Sequence, residues 1–203
     1  ETDQFLTWDI TLDDSADAFN DYVNRHLGMF LQKCNNRTVP VESCEDLVKE
    51  FYIYLFQGIH ASKVRNWLEN AEAVDRYPDN SVSFLEYQRR SIYRDPSFPY
   101  ILPLARTIRI GDVYCGIDKI AHFFGFGRRY YQRYLRHREE GLSEEAAMKK
   151  VVLWGLFHEE SMVGKLVDGI FSHGDMEANF QGFMLARDLC SGESPHIKHI
   201  NSH

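Results

Sequence analysis

Two adjacent carboxylates stand beside an imidazole in the run His158-Glu159-Glu160-Ser161, and Asp168, Ser172, His173, Asp175, Glu177 and Asn179 follow close behind. Carboxyls and imidazoles are the side chains that carry protons near neutral pH. A carboxyl taken partly out of water holds its proton to higher pH, because burial disfavours the charged form. Two such groups flanking a glycosidic bond can break it: one protonates the leaving oxygen, and the other activates water or attacks the sugar. The same residue types, with Asp118 and His122 four apart upstream, also include the oxygen and imidazole donors of a zinc site.

Which of these groups can meet depends on the elements that carry them. Residues 142–157 set Ala146, Ala147, Val151, Trp154 and Phe157 at spacings of three and four, the mark of one helix face. Glu160, three residues after Phe157, continues that face and is expected to sit partly desolvated at the helix end. Glu159 lies about 100° round the helix from it. Gly164 and Gly169 break the helix, and residues 169–174 read as a short extended segment ending in a turn. The expected picture is a helix-end carboxylate overlooking a small hairpin. Asp168 and Asp175 compete for the second acid, although Asp168 also suits a turn and Asp175 a helix N-terminus. Ser172, His173, Glu177, Asn179 and, from an upstream helix, Tyr130 are the candidate substrate-binding residues. Ser172 also suits the helix start, and scaffolding is the commoner role for Asn179.

The run Glu160-Ser161-Met162-Val163-Gly164-Lys165 resembles the Glu-Ser-x-x-Gly stretch of goose-type lysozymes and the related lytic transglycosylases. In that family the Glu is the catalytic acid, the last residue of a core helix before a small β-region. The resemblance implies Glu160 as the acid, with Ser161 and Gly164 as its local scaffold. Lysozyme-superfamily chitosanases, with a helix-end Glu before a hairpin that bears a second acid, are a more distant likeness. Where the family carries Gly-Leu-Met-Gln, this chain has Gly169-Ile170-Phe171-Ser172. The fold so implied is mainly α (α+β), a lysozyme-like helical domain with a small β-hairpin following the catalytic helix. The activity so implied is cleavage of β-1,4 bonds in peptidoglycan or a related aminosugar polymer, by hydrolysis or transglycosylation, without cofactor or metal.

The remainder of the chain fits one domain over 1–203, with a polar arm at 1–14 and a loose tail at 191–203. Helical spacing is found at 16–32, 45–56, 61–73, 81–94 and 175–190, and a strand at 107–110 that ends at Gly111-Asp112. In residues 115–138, Asp118 and His122 share a helix face and read as a structural pair behind the catalytic helix. Gly125 and Gly127 mark a kink or a close helix contact. Downstream, Tyr130, Tyr131 and Tyr134 alternate with Arg128, Arg129, Arg133 and Arg136. Such a stripe stacks on sugars or, more commonly, buries its tyrosines and leaves its arginines in solvent.

With 44% apolar and 26% charged residues the composition is that of a globular protein, and no apolar run is long enough to span a membrane. A formal net charge of −7 disfavours nucleic acid as a partner. It permits a substrate bearing amines, since a cleft holding Asp168, Asp175 and Glu177 would attract the ammonium groups of de-N-acetylated glycan. Cys34, Cys44, Cys115 and Cys190 allow three pairings, of which 34–44 with 115–190 closes one small and one large loop. Two disulfides suit an oxidising compartment, and four reduced, buried thiols fit the sequence equally; a chain starting at Glu1 reads as processed or trimmed, and the protein is expected to be secreted or periplasmic and a monomer. Two rival readings stand beside the glycosidase. One is a zinc hydrolase drawing on Asp118, His122, His158, Glu159, His173 and Asp175, though no His-Glu-x-x-His motif is present. The other is a non-catalytic cell-wall-binding or inhibitor protein on the same scaffold.

Overall fold

A computed structural model describes residues 4–39, 41–58, 62–91, 104–161 and 171–191. After a single 3-10 turn at Gln4–Thr7, helix α1 (Ala16–Asn35) opens the fold. Helices α2 (Cys44–Leu55), α3 (Lys63–Asn70) and α4 (Phe84–Arg90) each begin at a serine whose hydroxyl accepts a first-turn amide, from Asp46, Arg65 and Glu86 respectively. Each such cap satisfies one otherwise orphaned N–H and contributes about 1 kcal/mol.

Strands β1 (Arg76–Tyr77), β2 (Thr107–Ile110) and β3 (Val113–Gly116) form an antiparallel sheet in that order. Thr107 faces Gly116 and Ile110 faces Val113, so Gly111 and Asp112 make the tight turn between them. The sheet delivers the chain into α5 (Ile117–Glu139), followed by α6 (Glu144–Ser161) and α7 (His173–Cys190). The protein is thus mainly helical with one small sheet, as the sequence implied.

The sheet stands elsewhere than expected. Among the described residues every strand precedes α5, and none follows α6. Most of the expected hairpin, with Asp168, Gly164 and Gly169, lies outside the described residues. Its described end is not a turn, because His173 and Gly174 form the first turn of α7. Ser172 explains the difference: its hydroxyl accepts the Asp175 N–H at 3.1 Å, and this local cap starts a helix at His173, where the sequence read as a turn.

The core runs without interruption from Val48, Phe51 and Leu55 of α2 and Leu68 of α3 to Phe124 and Tyr131 of α5 and Phe183 of α7. The most extensive helix pair is α5 with α7. It closes through small residues, for a Cβ on Gly127 would lie 2.7 Å from the Gly182 carbonyl carbon. Close packing is therefore what Gly127 serves. A disulfide joins Cys44, at the start of α2, to Cys190, at the end of α7, while Cys34 and Cys115 are free thiols. The expected 34–44 clamp does not form, because α1 continues through Cys34 and buries it. Among the described residues no helix is long and apolar enough to cross a membrane.

Candidate functional site

The polar residues singled out from the sequence gather where the C-terminal end of α6 meets the first turns of α5 and α7. The face that α6 buries decides which of them are inside. Ala147, Val151, Gly155 and Glu159 form its buried stripe, four residues apart. Leu153, Phe157 and Glu160 are exposed, Phe157 at 62%. The expected face was thus rotated by a residue. Gly155 is the reason: the Tyr130 side chain fills the space where a Cβ would stand, so the helix approaches α5 along its glycine rather than along Phe157.

This rotation exchanges the roles of the paired carboxylates. Glu159 is only 3% exposed, and its Oε1 accepts the backbone N–H of Ser172 at 3.0 Å. Ser172 in turn caps α7, so one short chain of hydrogen bonds fastens the tip of α6 to the start of α7. Glu160, expected at the edge of the core, is exposed to solvent.

Behind this junction lies a buried ionic network. The Lys119 ammonium donates to Asp118 Oδ2 at 2.7 Å and to Asp175 Oδ1 at 2.5 Å. His122 bridges the same groups, with Nε2 at 3.4 Å from Asp175 Oδ2 and Nδ1 at 3.2 Å from Asn179 Oδ1. Asp175 is 2% and Asn179 3% exposed. Asn179 also hydrogen-bonds the Tyr130 hydroxyl, and burial pushes that phenol up to about 12 against the opposite effect of this bond. Burial opposes ionisation of Asp118, but positive charge, with Lys119 and His122 among its sources, outweighs it and holds its carboxyl well below the usual range. Burial, reinforced by the Asp118 charge, pushes the neighbouring Cys115 thiol up to about 11.

Asp118, His122 and Asp175 bring potential ligand atoms within 4.8 Å of one another, the spacing of a metal trio. The position between the carboxylates is already served by the Lys119 ammonium. A divalent ion beside it would meet a like charge at contact distance, so the donors fit an internal cation better than a metal. The other donors expected of a zinc site do not join them. Glu159 bonds Ser172, His158 packs on Trp154 with ring centres 4.1 Å apart, and His173 is exposed.

Several expectations are corrected by this geometry. Asp175 is a buried partner of Lys119, which withdraws it from activating water on a polymer. Tyr130 is fully buried, and Asn179 and Ser172 are interior, so all three are scaffold rather than substrate contacts. His173 and Glu177 are exposed at the start of α7, with Glu177 accepting from Gln181 at 2.8 Å. Asp118 and His122 are joined through Lys119 and Asp175 rather than standing as an isolated pair. Sequence reasoning missed Lys119 and set Glu159 aside. A lysine inside the apolar run Ile117 to Phe126 was the available signal, since a charge on a buried helix face requires partners.

Comparison with protein-family models, curated proteins and solved structures finds no match for this chain.

Proposed function

We propose that the chain is a glycoside hydrolase acting on β-1,4-linked aminosugar polymers, peptidoglycan above all, with Glu160 as the general acid. The carboxylate pair at the end of α6 carries the proposal: Glu159 is buried and bonded to the backbone at Ser172, and the very next residue is an exposed carboxylate. General-acid catalysis needs a proton donor that the substrate can reach and that the fold holds still. Glu159 supplies the anchoring and Glu160 the reachable proton. A sugar seated over Glu160 displaces water from its carboxyl, which passes a proton to the glycosidic oxygen. As the bond breaks, the sugar gains oxocarbenium character and water adds to its anomeric carbon. With Asp175 neutralised by Lys119, activation of that water is assigned to Asp168.

The Glu160-Ser161 likeness to goose-type lysozymes supports the same reading. So does the Cys44–Cys190 disulfide, which suits action outside the cytoplasm. The net charge of −7 favours glycan with free amines, so de-N-acetylated peptidoglycan is the preferred substrate. The test is release of soluble reducing sugar from native and chemically de-N-acetylated peptidoglycan. Wild type is expected to release sugar faster from the de-N-acetylated sample, and Glu160→Gln to lower the rate by about 100-fold or more. Equal rates in wild type and variant would remove Glu160 from the chemistry.

A further inference from the structure

Beyond the ionic network, α5 carries a group of arginines that, among the described residues, have no acidic partner. Arg128, Arg129, Arg133 and Arg136 form no ion pair with a described carboxylate. This is unusual in a chain of net charge −7, where acidic residues outnumber basic ones 30 to 23. The arginines also oppose one another: burial and then the charges of Arg136 and Arg129 lower the pKa of Arg133, and burial and then the charge of Arg129 lower that of Arg128. Cations gathered on one helix with no neutralising carboxylate among the described residues suit an anion from outside.

Their arrangement shows what kind. Helical spacing sets Arg129, Arg133 and Arg136 on the same face as His122 and Phe126. Phe126 stacks on His122 with ring centres 5.2 Å apart, and the Arg129 guanidinium lies 4.7 Å from the Phe126 ring centre. Arg133 lies 3.9 Å over Trp154 of α6. An aromatic beneath a guanidinium fixes its position without using its in-plane N–H donors, which stay available to a planar acceptor. Arg128 Nε and His158 Nδ1, the latter on a ring packed against Trp154, are buried polar atoms without a hydrogen-bond partner among the described residues. Forked donors of this kind match carboxylates, which they engage through paired hydrogen bonds. Trp154 stands six residues before Glu160, about 9 Å along α6 and about 120° round it, so the ladder and the proposed acid lie near the same end of α6 on different faces.

We infer that this α5–α6 face binds the free carboxylates of the peptide stems attached to the glycan, with Arg129 and Arg133 as the principal contacts, and so seats the strand for cleavage at Glu160. The identity of the polymer rests on the glycosidase reading above; the carboxylate-binding face rests on the arginines themselves. It explains how an acidic protein can hold a polymer that bears both amines and carboxylates: the two charges are met on different surfaces.

Calorimetric titration of the full chain with a synthetic stem tetrapeptide, and with the same peptide carrying carboxamides in place of its carboxylates, tests this directly. The free-carboxylate peptide is expected to bind, and Arg129→Gln and Arg133→Gln each to weaken it by about tenfold. The carboxamide peptide is expected not to bind. In parallel, sugar release is compared on glycan strands with their peptides intact and strands stripped of them. Wild type is expected to favour the intact strands, and the arginine variants to lose that preference. No binding, equal binding of the two peptides, or unchanged binding in both variants overturns the inference. If the peptide binds through the arginines but no strand is cleaved, the glycosidase reading fails and the carboxylate-binding face stands.

Discussion

Between α1, α2 and α3 the interior is aromatic. Tyr22 stacks on Trp67 with ring centres 4.4 Å apart, and Phe30 meets Phe51 at 5.4 Å. Between α5, α6 and α7 the interior holds, beside aromatics such as Tyr130 and Phe183, a polar set of Lys119, Asp118, Asp175, His122, Asn179 and Glu159, linked by hydrogen bonds and ion pairs. Apolar packing is non-directional: it contributes in proportion to area removed from water and adjusts to small changes of shape. A buried ionic network has no such tolerance, since each charge is bearable only while its partners stay in place. The fold therefore uses forgiving material on one side. On the other, where the tips of α6 and α7 must meet in a fixed geometry beside Glu160, it uses exacting material.

The sharpest way to break this contrast is to remove one charge from the exacting side. Asp175→Ala leaves Lys119 buried with one carboxylate partner fewer, and is expected to cost about 3–5 kcal/mol in urea unfolding. A loss below about 1 kcal/mol would mean that the network bears little of the fold. A milder change belongs to the aromatic side. Phe51→Leu keeps an apolar side chain of similar size at a buried position and is expected to cost less than about 1.5 kcal/mol by the same measurement. A cost equal to that of Asp175→Ala would erase the distinction between the two regions.

Acidification should separate them more finely. Burial, with the charges of Lys63 and Arg25, lowers the pKa of His26 on α1 from 6.5. A histidine with a depressed folded pKa favours the native state in its neutral form, so its contribution is lost as pH falls below that value. Asp118 is depressed below 3.8, so its contribution is present above that value and is lost as pH falls further. Hydrogen exchange followed against pH should thus show α1 loosening first and α5 with α7 only in stronger acid. His26→Gln should remove the first step and Asp118→Asn the second; one common step in both regions would refute the separation.

The helices were largely legible in the sequence because each buries a stripe at helical spacing. Ser172 and Asp175 marked the start of α7 in the same way. The site was legible in composition but not in orientation. Whether Glu159 or Glu160 faces inward turns on Gly155 accepting the ring of Tyr130, a residue far away in sequence. Periodicity favours large apolar residues such as Phe157 and passes over a glycine stripe. The network was hidden for a related reason. Asp118 and His122 were noticed as a pair, but Lys119, the cation that makes Asp175 a structural residue, does not share their face at i and i+4. The Cys44–Cys190 pairing joins opposite ends of the helical array, which no local spacing encodes.

The central claim is a division of labour between adjacent carboxylates: Glu159 holds the tip of α6 and Glu160 does chemistry. Glu159→Gln and Glu160→Gln, each assayed for sugar release from de-N-acetylated peptidoglycan and for melting temperature in the same buffer, test it most directly. The account predicts that Glu160→Gln melts like wild type and releases no sugar, whereas Glu159→Gln melts several degrees lower and keeps activity while it remains folded. An inactive Glu159→Gln of unchanged melting temperature beside an active Glu160→Gln would contradict it, and would move the acid to the buried residue.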